Sequence, residues 1–454
     1  MVRDAGTAHD DGPLSGDTVG GGEELLVAGR GKGVDDAAMR PLGLPCVLFA
    51  ATCLAQTPTT LHGAHVLAAD GASFREAVIE LVGDEIRDVR APRAGETFDR
   101  ELGDAFVIPG LIDLHTHMLL HPYNETSWDQ QVLQESLELR SMRATKHAAT
   151  TLLAGFVAVR DLGTEGAGFA DVALRDAIRQ GIVAGPLVIP STRALVATGC
   201  YGPNLAAAPT PKGAQVADGA DGVRRAVREQ IAAGAQWIKV YADYRRAAGA
   251  QATPTFTQEE LATACDEAAS AGLSVAAHAT TDEGIRRAVM AGVRTIEHGS
   301  GASQATLQLM VQKGVVLCPC LAANEAILHY AGRRGAAVDR LNPARVAFQR
   351  ALAAGVTVAC GSDAGVFAHG TNAREVELMV EFGMTTTQAL AAATTTAAKV
   401  LGRAELGRIE KGAKPGLVVL AADPLQDAAN LRKVTAVWWG GCEVRPPALL
   451  SLPR

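Results

Sequence analysis

The chain has 454 residues, more than one average domain, and 48% of them are apolar while only 4% are aromatic. This composition excludes a fibrous or largely disordered chain and fits small-residue helices packed on a buried parallel sheet. The net charge is −7, and no basic stretch carries interleaved aromatic residues, which argues against a nucleic-acid partner.

Residues 1–55 differ from the rest of the chain in composition. Residues 1–38 are rich in Gly and Asp and lack periodicity, which is typical of a disordered extension. Met39 and Arg40 then precede an apolar run over residues 42–55, and such a run behind a basic start resembles a secretory signal peptide. The run is shorter than the roughly 20 residues that cross a bilayer. We therefore predict a periplasmic or secreted protein without a membrane span; the alternative is a buried N-terminal segment.

Short β-rich pieces alternate with Gly and Asp turns near both ends of the chain. Residues 77–82 are an example from the first region, and residues 435–439 are an example from the second. We predict that residues 56–108 and 405–454 together form a small β-sandwich domain, and that residues 109–404 are inserted between its two parts.

Strand-like and helix-like patterns alternate through the predicted insertion. The predicted strands lie near residues 107–117, 157–161, 187–191, 237–242, 274–279, 295–298, 315–320 and 356–362. Helical periodicity fills the gaps, for example over residues 131–153, 221–233, 258–271 and 282–291. The alternation predicts an α/β fold with a (β/α)8 TIM-type barrel, whose chemistry lies at the C-terminal strand ends. The competing open doubly wound sheet lacks its Gly-x-Gly-x-x-Gly turn between a strand and a helix.

Polar side chains that can bind metals stand at the ends of these predicted strands. The first strand carries His115 and His117 two positions apart, so that both imidazoles project to one face. Neutral imidazole is a common zinc ligand. Four further strand ends carry Lys239, His278, His298 and Asp363. Each of these residues alone fits a structural role, but their convergence on one barrel mouth predicts a metal site.

These residues resemble those of the amidohydrolase superfamily, specifically its prolidase-like and imidazolonepropionase-like branch. The resemblance covers most of residues 58–440, and its most specific parts are residues 115–117, 237–243, 276–280, 296–300 and 361–372. By the resemblance, His115, His117 and Asp363 hold one divalent ion, usually zinc. His278 and His298 hold a second ion, and a carbamylated Lys239 bridges the two.

A lysine can act as such a bridge only after it loses its charge. A protonated amine cannot bind a cation, whereas a buried lysine gives up its proton readily. The neutral amine of Lys239 would then react with carbon dioxide, and the resulting carbamate offers one oxygen to each ion. The alternative is that Lys239 stays an ammonium and pairs with Asp243 or Asp363.

The reaction implied by a bridged pair of ions is hydrolysis. The pair lowers the pKa of bound water and yields a bridging hydroxide, while one ion polarises the scissile carbonyl. By the resemblance, Asp363 takes the proton and passes it to the leaving nitrogen. The chain has no Gly-x-Ser-x-Gly motif, which disfavours a serine hydrolase of the elbow type.

Further residues are expected near the substrate. Tyr241 shares a strand face with Lys239. By the resemblance, a tyrosine at this position contacts the carboxylate of the leaving amino acid. The alternative interpretation is an aromatic residue that only fills the barrel. His147 resembles a histidine that relatives use near the substrate, against the alternative of a surface or capping residue. His369 matches the family's loop after the eighth strand, and we expect it to lie behind the metal ligands. Residues 193–216 form a loop long enough to act as a lid.

Other potential ligands are interpreted as structural. His121 and His329 show no motif that points to chemistry. Cys318, Cys320 and Cys360 lie in apolar strand-like runs, where a thiol is usually a small core residue.

Three functional hypotheses follow. The first is a binuclear metal-dependent amidohydrolase that cleaves an amide bond to an amino acid in a small molecule. Its substrates would be dipeptides, Xaa-Pro-like compounds or N-acyl amino acids, including ochratoxin A, which some relatives split into ochratoxin α and phenylalanine. The alternative enzyme is a mononuclear cyclic-amidine hydrolase or deaminase of the imidazolonepropionase type, which would not need Lys239. The third is a barrel that binds without catalysis, although it would be expected to have lost ligands. The resemblance also implies a homo-oligomer.

Overall fold

The computed structural model describes residues 58–202, 212–247, 249–332 and 343–444. The predicted extension and signal peptide lie outside the described residues, as do parts of the predicted lid and of the C-terminal β region. All described residues belong to one compact unit, Ala55–Arg454. Among the described helices, none is both long enough and apolar enough to cross a bilayer.

The described chain alternates strands with helices. The strands are β1 (Thr59–Leu67), β2 (Phe74–Val82), β3 (Glu85–Arg90), β4 (Arg100–Glu101), β5 (Phe106–Pro109), β6 (Leu111–Thr116), β7 (Phe156–Asp161), β8 (Leu187–Pro190), β9 (Leu195–Val196), β10 (Gln215–Val216), β11 (Ile238–Tyr241), β12 (Asp243–Arg245), β13 (Ala252–Pro254), β14 (Val275–Ala279), β15 (Thr295–His298), β16 (Val316–Cys318), β17 (Leu417–Leu420), β18 (Val434–Trp439) and β19 (Cys442–Glu443). The α-helices are Trp128–Gln134, Leu137–Leu153, Ala170–Arg179, Gly219–Ala232, Gln258–Ser270, Asp282–Ala291, Gln304–Lys313, Leu321–Tyr330, Pro343–Ala353, Ala373–Glu381, Thr386–Ala392 and Thr395–Leu401, and Ala428–Arg432 is a 3-10 helix.

One mixed sheet joins the two ends of the described chain. Its order is β19-β18-β17-β5-β1-β2-β3, with β4 beside β1. Strand β5 pairs antiparallel with β17 in a register that sets Ile108 opposite Val418, and both side chains are fully buried. Leu61, Ile79 and Trp438 belong to one buried apolar cluster on this sheet. The division of the chain into a β-sandwich and an inserted domain stays a prediction.

Two parallel sheets carry most of the predicted strand–helix units. One has the order β6-β7-β8, and the other has the order β10-β9-β11-β14-β15-β16. Every residue of β6, β7 and β11 is buried, as expected for parallel strands covered by helices on both faces. The described chain therefore has an α/β fold, as predicted.

The segment predicted as the last strand, residues 356–362, forms isolated bridges instead of a regular strand. Val358 bridges in parallel to Leu317 of β16, and Ala364 bridges in parallel to β6. Asp363, between these bridges, has a φ of 64°, in the left-handed region. The backbone turns there, and a strand ladder cannot continue through such a turn.

The helical pattern over residues 131–153 resolves into two helices. The first ends before Glu135, and Ser136 begins the second by accepting a hydrogen bond of 3.2 Å from the amide of Leu139. Serine at this position satisfies a free amide of the new helix, which explains why the periodicity is interrupted there.

Candidate metal centre

His115 in β6 and His117, which directly follows β6, face one carboxylate. His115 and His117 are 1% and 5% exposed. Their Nε2 atoms lie 3.6 Å and 3.2 Å from the same oxygen, Asp363 Oδ1. Each of the three residues offers one donor atom, and these atoms lie within 4.8 Å of one another. Two imidazole nitrogens and a carboxylate oxygen form a donor set that suits zinc, so this trio fits a divalent cation.

The Nδ1 atoms of His115 and His117 each contact an oxygen on the side of the ring away from Asp363. His117 Nδ1 lies 2.8 Å from the carbonyl oxygen of Gly163, so it donates and leaves Nε2 to face Asp363. His115 Nδ1 lies 2.9 Å from Glu297 Oε2. Burial alone would lower the pKa of His117, but the neighbouring carboxylates of Asp363 and Glu165 raise it to about 9. The carboxylates thus favour a positive charge at the point where a cation would bind.

Asp363 owes its position to its backbone. Its amide donates to the carbonyl oxygen of His115 at 2.7 Å, and its left-handed φ turns the side chain toward the imidazoles. Burial would raise the pKa of Asp363, yet the imidazoles of His115 and His117 lower it below the ordinary range. The carboxylate is therefore ionised.

His278 and His298 form a second pair beside the first. Their ring centroids are 4.7 Å apart, and the ring of His298 lies 5.6 Å from that of His115. His278 stands in β14, where Ala279 pairs with His298 of β15, so neighbouring parallel strands set the two rings side by side. Burial lowers the pKa of both imidazoles, which favours the neutral form that binds metals.

Lys239 lies in β11 next to the second pair. Its side chain is 1% exposed, and Nζ has no hydrogen-bond partner among the described residues. Nζ lies 5.3 Å from the centroid of the Tyr241 ring, which stacks on His278. Burial lowers the pKa of this amine. Asp243, one of its suggested ion-pair partners, instead accepts hydrogen bonds from the amides of Thr280 and Thr281.

A family model described as the amidohydrolase family matches residues 106–444. The chain belongs to the amidohydrolase family. Members are typically metal-dependent, and the His and Asp groups of this amidohydrolase could bind a metal ion.

Similar proteins lie in the prolidase-like branch. Ochratoxinase from Aspergillus niger is 32% identical over 377 residues, which cover 76% of this chain and 76% of that protein. A solved structure of a Xaa-Pro dipeptidase with methionine in its active site has a TM-score of 0.78 at 29% identity, and the match covers 86% of this chain and 100% of that one. The crystal structure of A. niger ochratoxinase has a TM-score of 0.74 at 27% identity, with coverages of 87% and 96%. This amidohydrolase is therefore a hydrolase that acts on amide bonds.

Cys320 is a residue at the site of this amidohydrolase that sequence reasoning missed. It is 1% exposed, as expected of a core thiol, but its Sγ lies 3.2 Å from His115 Nδ1. With His115 and His298 it forms a second trio whose donor atoms lie within 4.8 Å of one another. Its place two residues after β16, at the same end as the predicted ligands, is the signal that could have found it.

A buried ion pair supports the first histidine. Glu297 and Arg160 are both fully buried, and Arg160 Nη2 lies 3.0 Å from Glu297 Oε1. The other carboxylate oxygen of Glu297 faces His115, and Arg160 Nε donates to the carbonyl oxygen of Leu114 at 2.6 Å. The pair therefore fixes both the ring and the backbone of β6.

Three residues of the candidate metal centre, His298, Cys320 and Asp363, have left-handed backbone. The described non-glycine residues with positive φ are Glu165, Thr192, Tyr201, His298, Cys320 and Asp363. His298 ends β15, and Cys320 and Thr192 lie two residues after β16 and β8. Left-handed backbone is unfavourable for such residues and is found preferentially at functional sites.

Tyr241 is buried in an aromatic group rather than isolated in the strand. Its hydroxyl donates to the Tyr201 hydroxyl at 3.1 Å, and Tyr201 in turn donates to Glu165. Trp128 Nε1 also donates to Glu165, at 2.9 Å. The Tyr201 ring lies 4.5 Å from the Tyr241 ring and 5.0 Å from the Tyr244 ring.

His147 contacts the chain beside the histidine pair. Its Nδ1 donates to the carbonyl oxygen of Met118 at 2.9 Å, and its ring stacks on His369 at 4.3 Å. Burial lowers the pKa of His147 to about 4. His369 donates from Nε2 to the carbonyl oxygen of Leu120 at 3.0 Å. Both rings thus support the loop after β6.

Proposed function

We propose that this amidohydrolase is a binuclear hydrolase that cleaves an amide bond to an amino acid. The observation that carries the proposal is the Lys239 amine, which is buried beside the strand of His278 and has no hydrogen-bond partner among the described residues. An ammonium in that place would be a buried charge without a hydrogen bond from the described residues, which is costly. A neutral amine that forms a carbamate resolves this, because the carbamate is an anion that two cations can share.

In the proposed centre, His115, His117 and Asp363 would hold one ion, most simply zinc, and His278 and His298 would hold the other. Carbamylation of Lys239 forms a bond from Nζ to the carbon of carbon dioxide and releases one proton. When bound, the ions lower the pKa of water and polarise the scissile carbonyl.

Residues of the chain would move the protons. Asp363 is ionised and lies between two imidazoles, so it is placed to accept a proton and return it to the leaving nitrogen. Gly163 keeps His117 in one tautomer throughout.

The substrate class is proposed from the aromatic group and the relatives. Trp128, Tyr201, Tyr241 and Tyr244 pack together next to His278, which favours a substrate with a ring. The relatives include an ochratoxinase and a Xaa-Pro dipeptidase. We therefore propose dipeptides, Xaa-Pro-like compounds and N-acyl amino acids, with ochratoxin A among them.

The same proposal includes a closed (β/α)8 barrel and a terminal β-domain. In support, the backbone amide of Gln236 donates to the carbonyl oxygen of Pro190 at 2.8 Å, which links the end of β8 to the start of β11. The bridges of Val358 and Ala364 link β16 to β6 through the segment between them. Export from the cytoplasm and self-association complete the proposal and stay predictions.

The mononuclear cyclic-amidine hydrolase is the second candidate, because the trio of His115, His117 and Asp363 is complete without Lys239. Metal analysis of the dialysed full chain, combined with kinetics, separates the two. We expect two ions per chain and hydrolysis within a panel of C-terminally varied dipeptides, N-acyl amino acids and ochratoxin A. One ion at full activity would favour the mononuclear enzyme, and metal-loaded protein inactive on the whole panel would contradict the proposed substrates.

A further inference from the structure

Cys320 differs from the other described cysteines by its position at the metal centre. It follows β16 by two residues and immediately precedes the helix Leu321–Tyr330. The described cysteines are all free, and Cys320 is among those that are buried. A buried thiol is by itself an ordinary core feature, so its contacts decide what it does.

The contacts of Cys320 are polar. Its Sγ lies 3.2 Å from His115 Nδ1, and the thiol donates to the carbonyl oxygen of Cys318 at 3.4 Å. Donor atoms of Cys320, His115 and His298 lie within 4.8 Å of one another. In a tetrahedral zinc site, nitrogen and sulfur ligands lie about 2.1 Å and 2.3 Å from the ion, hence roughly 3.6 Å from each other. Because His115 Nδ1 is already held by Glu297, its contact with Sγ is a hydrogen bond on the side of the ring away from Asp363. The nitrogen that would share an ion with the thiol is that of His298, which lies within 4.8 Å of Sγ.

The backbone of Cys320 has the same conformation as that of the proposed ligands on either side of it. Its φ is 54°, compared with 69° for His298 and 64° for Asp363. Packing a small thiol does not require left-handed backbone, which most residues avoid. Here the turn brings Sγ to the imidazoles, as it brings the carboxylate of Asp363 to them.

This unfavourable conformation is held by hydrogen bonds. The amide of Cys320 donates to the carbonyl oxygen of Gly361 at 3.1 Å. The amides of Leu321 and Ala322 donate to the two carboxylate oxygens of Glu375, at 3.1 Å and 2.7 Å. Three consecutive amides are thus anchored, which leaves the thiol little freedom to move away from the site.

An independent observation also indicates a ligand here. The Lys239 amine is buried and lacks a hydrogen-bond partner among the described residues. Its strand β11 pairs with β14, which carries His278, so the amine lies beside the second histidine pair. A buried polar atom without a partner points to a further group at this position.

We propose that Cys320 is an additional metal ligand, a thiolate bound to the ion that His298 holds. The inference rests on the proposed function, because it needs the second ion. As the sulfur–metal bond forms, the thiol releases its proton to solvent, so the site gains one negative charge. A soft thiolate favours zinc, cadmium and cobalt over magnesium and manganese. The centre would therefore select soft divalent ions.

Cobalt(II) reports thiolate ligation directly, because sulfur bound to cobalt gives a charge-transfer band in the near ultraviolet. The full chain, stripped with a chelator, is titrated with cobalt chloride as wild type, as Cys320→Ser and as Cys318→Ser. Cys318 is the matched control, since it is a buried thiol two residues away whose sulfur contacts Arg160 at 3.8 Å instead of the imidazoles. We expect the band in wild type and Cys318→Ser and its loss in Cys320→Ser, together with an affinity for the second cobalt at least about 10-fold weaker.

The number of cobalt ions bound, read from the visible cobalt bands, distinguishes failure of the thiolate ligand from failure of the binuclear centre. Two bound ions without the charge-transfer band in wild type would overturn the thiolate ligand and leave the proposed binuclear centre intact; the thiol would then only accept from His115. Failure to bind a second cobalt would overturn the proposed function itself. If Cys320→Ser does not fold, a band present in wild type and unchanged in Cys318→Ser supports the ligand, and a band lost in Cys318→Ser contradicts it.

Discussion

At the scale of single residues, Lys239 has the environment that most needs an explanation. It is fully buried in β11, and the carboxylate of Asp243 is occupied by the amides of Thr280 and Thr281. An uncompensated amine in such surroundings is neutral or chemically modified. The proposed carbamate accounts for an amine that has no hydrogen-bond partner within the described part of the chain.

Lys239→Ala should remove the bridge and lower kcat/KM by at least about 100-fold, since even the loss of an outer contact to a metal site costs 10–100-fold. Short carboxylates such as propionate should restore part of the activity, because they can occupy the space of the carbamate. The measurement is steady-state kinetics with and without the added acid, together with carbon-13 labelling of the carbamate from labelled bicarbonate.

Lys399→Ala serves as the control for that experiment, because Lys399 is an exposed lysine on a helix. It should keep full activity. Unchanged turnover in Lys239→Ala, or a carbamate signal that persists in this variant, would show that the bridge is assigned to the wrong residue.

Local sequence pattern was enough to predict that the two histidine pairs lie at or next to strand ends. The alternation of side chains in a strand sets His115 and His117 on one side, and the end of a strand marks His278 and His298. Cys320 was interpreted as core, because its contact with His115 joins residues 205 positions apart. No local pattern records such a contact.

At the scale of elements, the connection between β14 and the helix Asp282–Ala291 keeps His278 in place. Asp243 spans this connection with hydrogen bonds to the amides and hydroxyls of Thr280 and Thr281. Gly284 lets the helix approach Asp243 closely, since an added Cβ would lie 2.2 Å from Oδ2 of that residue. The carboxylate is held on several sides and cannot move aside easily.

Gly284→Ala should therefore lower the free energy of unfolding by about 1–3 kcal/mol, the usual cost of overpacking. Activity should fall as well, because Asp243 would shift the segment that follows His278. Chemical denaturation and steady-state kinetics measure the two effects.

Gly222→Ala is the matched change, because it also lies in a helix but its added Cβ would meet nothing closer than 4.0 Å. It should raise the free energy of unfolding by about 0.4–1 kcal/mol, since alanine restricts the unfolded chain. Equal effects of the two substitutions would contradict the role given to Gly284.

Sequence periodicity predicted helices and strands but not the positions at which the backbone interrupts them. The helix Asp282–Ala291 was predicted from its periodicity at its observed bounds, and Thr281 and Gly292 cap it in the structure. Residues 131–153 keep helical periodicity across the break at Ser136, so they were predicted as one helix. Residues 356–362 have the composition of a strand, but the turn at Asp363 limits them to isolated bridges.

At the scale of the whole molecule, the site exists only when distant segments assemble. Its proposed ligands come from β6, β11, β14, β15 and the segment after residue 362, and parallel pairing sets the strands in register. The α/β fold followed from the alternation of strands and helices, whereas the proposed closure of the sheets into a barrel would depend on hydrogen bonds that the sequence does not encode locally. Metal binding and global stability should therefore be coupled.

Removal of metal from the full chain by a chelator should abolish activity and lower the melting temperature. A ligand that binds only the folded state stabilises it by about 2.7 kcal/mol at 100 times its Kd. Zinc added back should restore activity and raise the melting temperature again, whereas magnesium, which prefers oxygen ligands, should do neither. In His117→Ala the zinc-dependent rise should be smaller, because the first trio loses a donor. If zinc leaves the melting temperature of the wild-type chain unchanged, the imidazoles and the carboxylate do not form a metal site, and their convergence would need a different explanation.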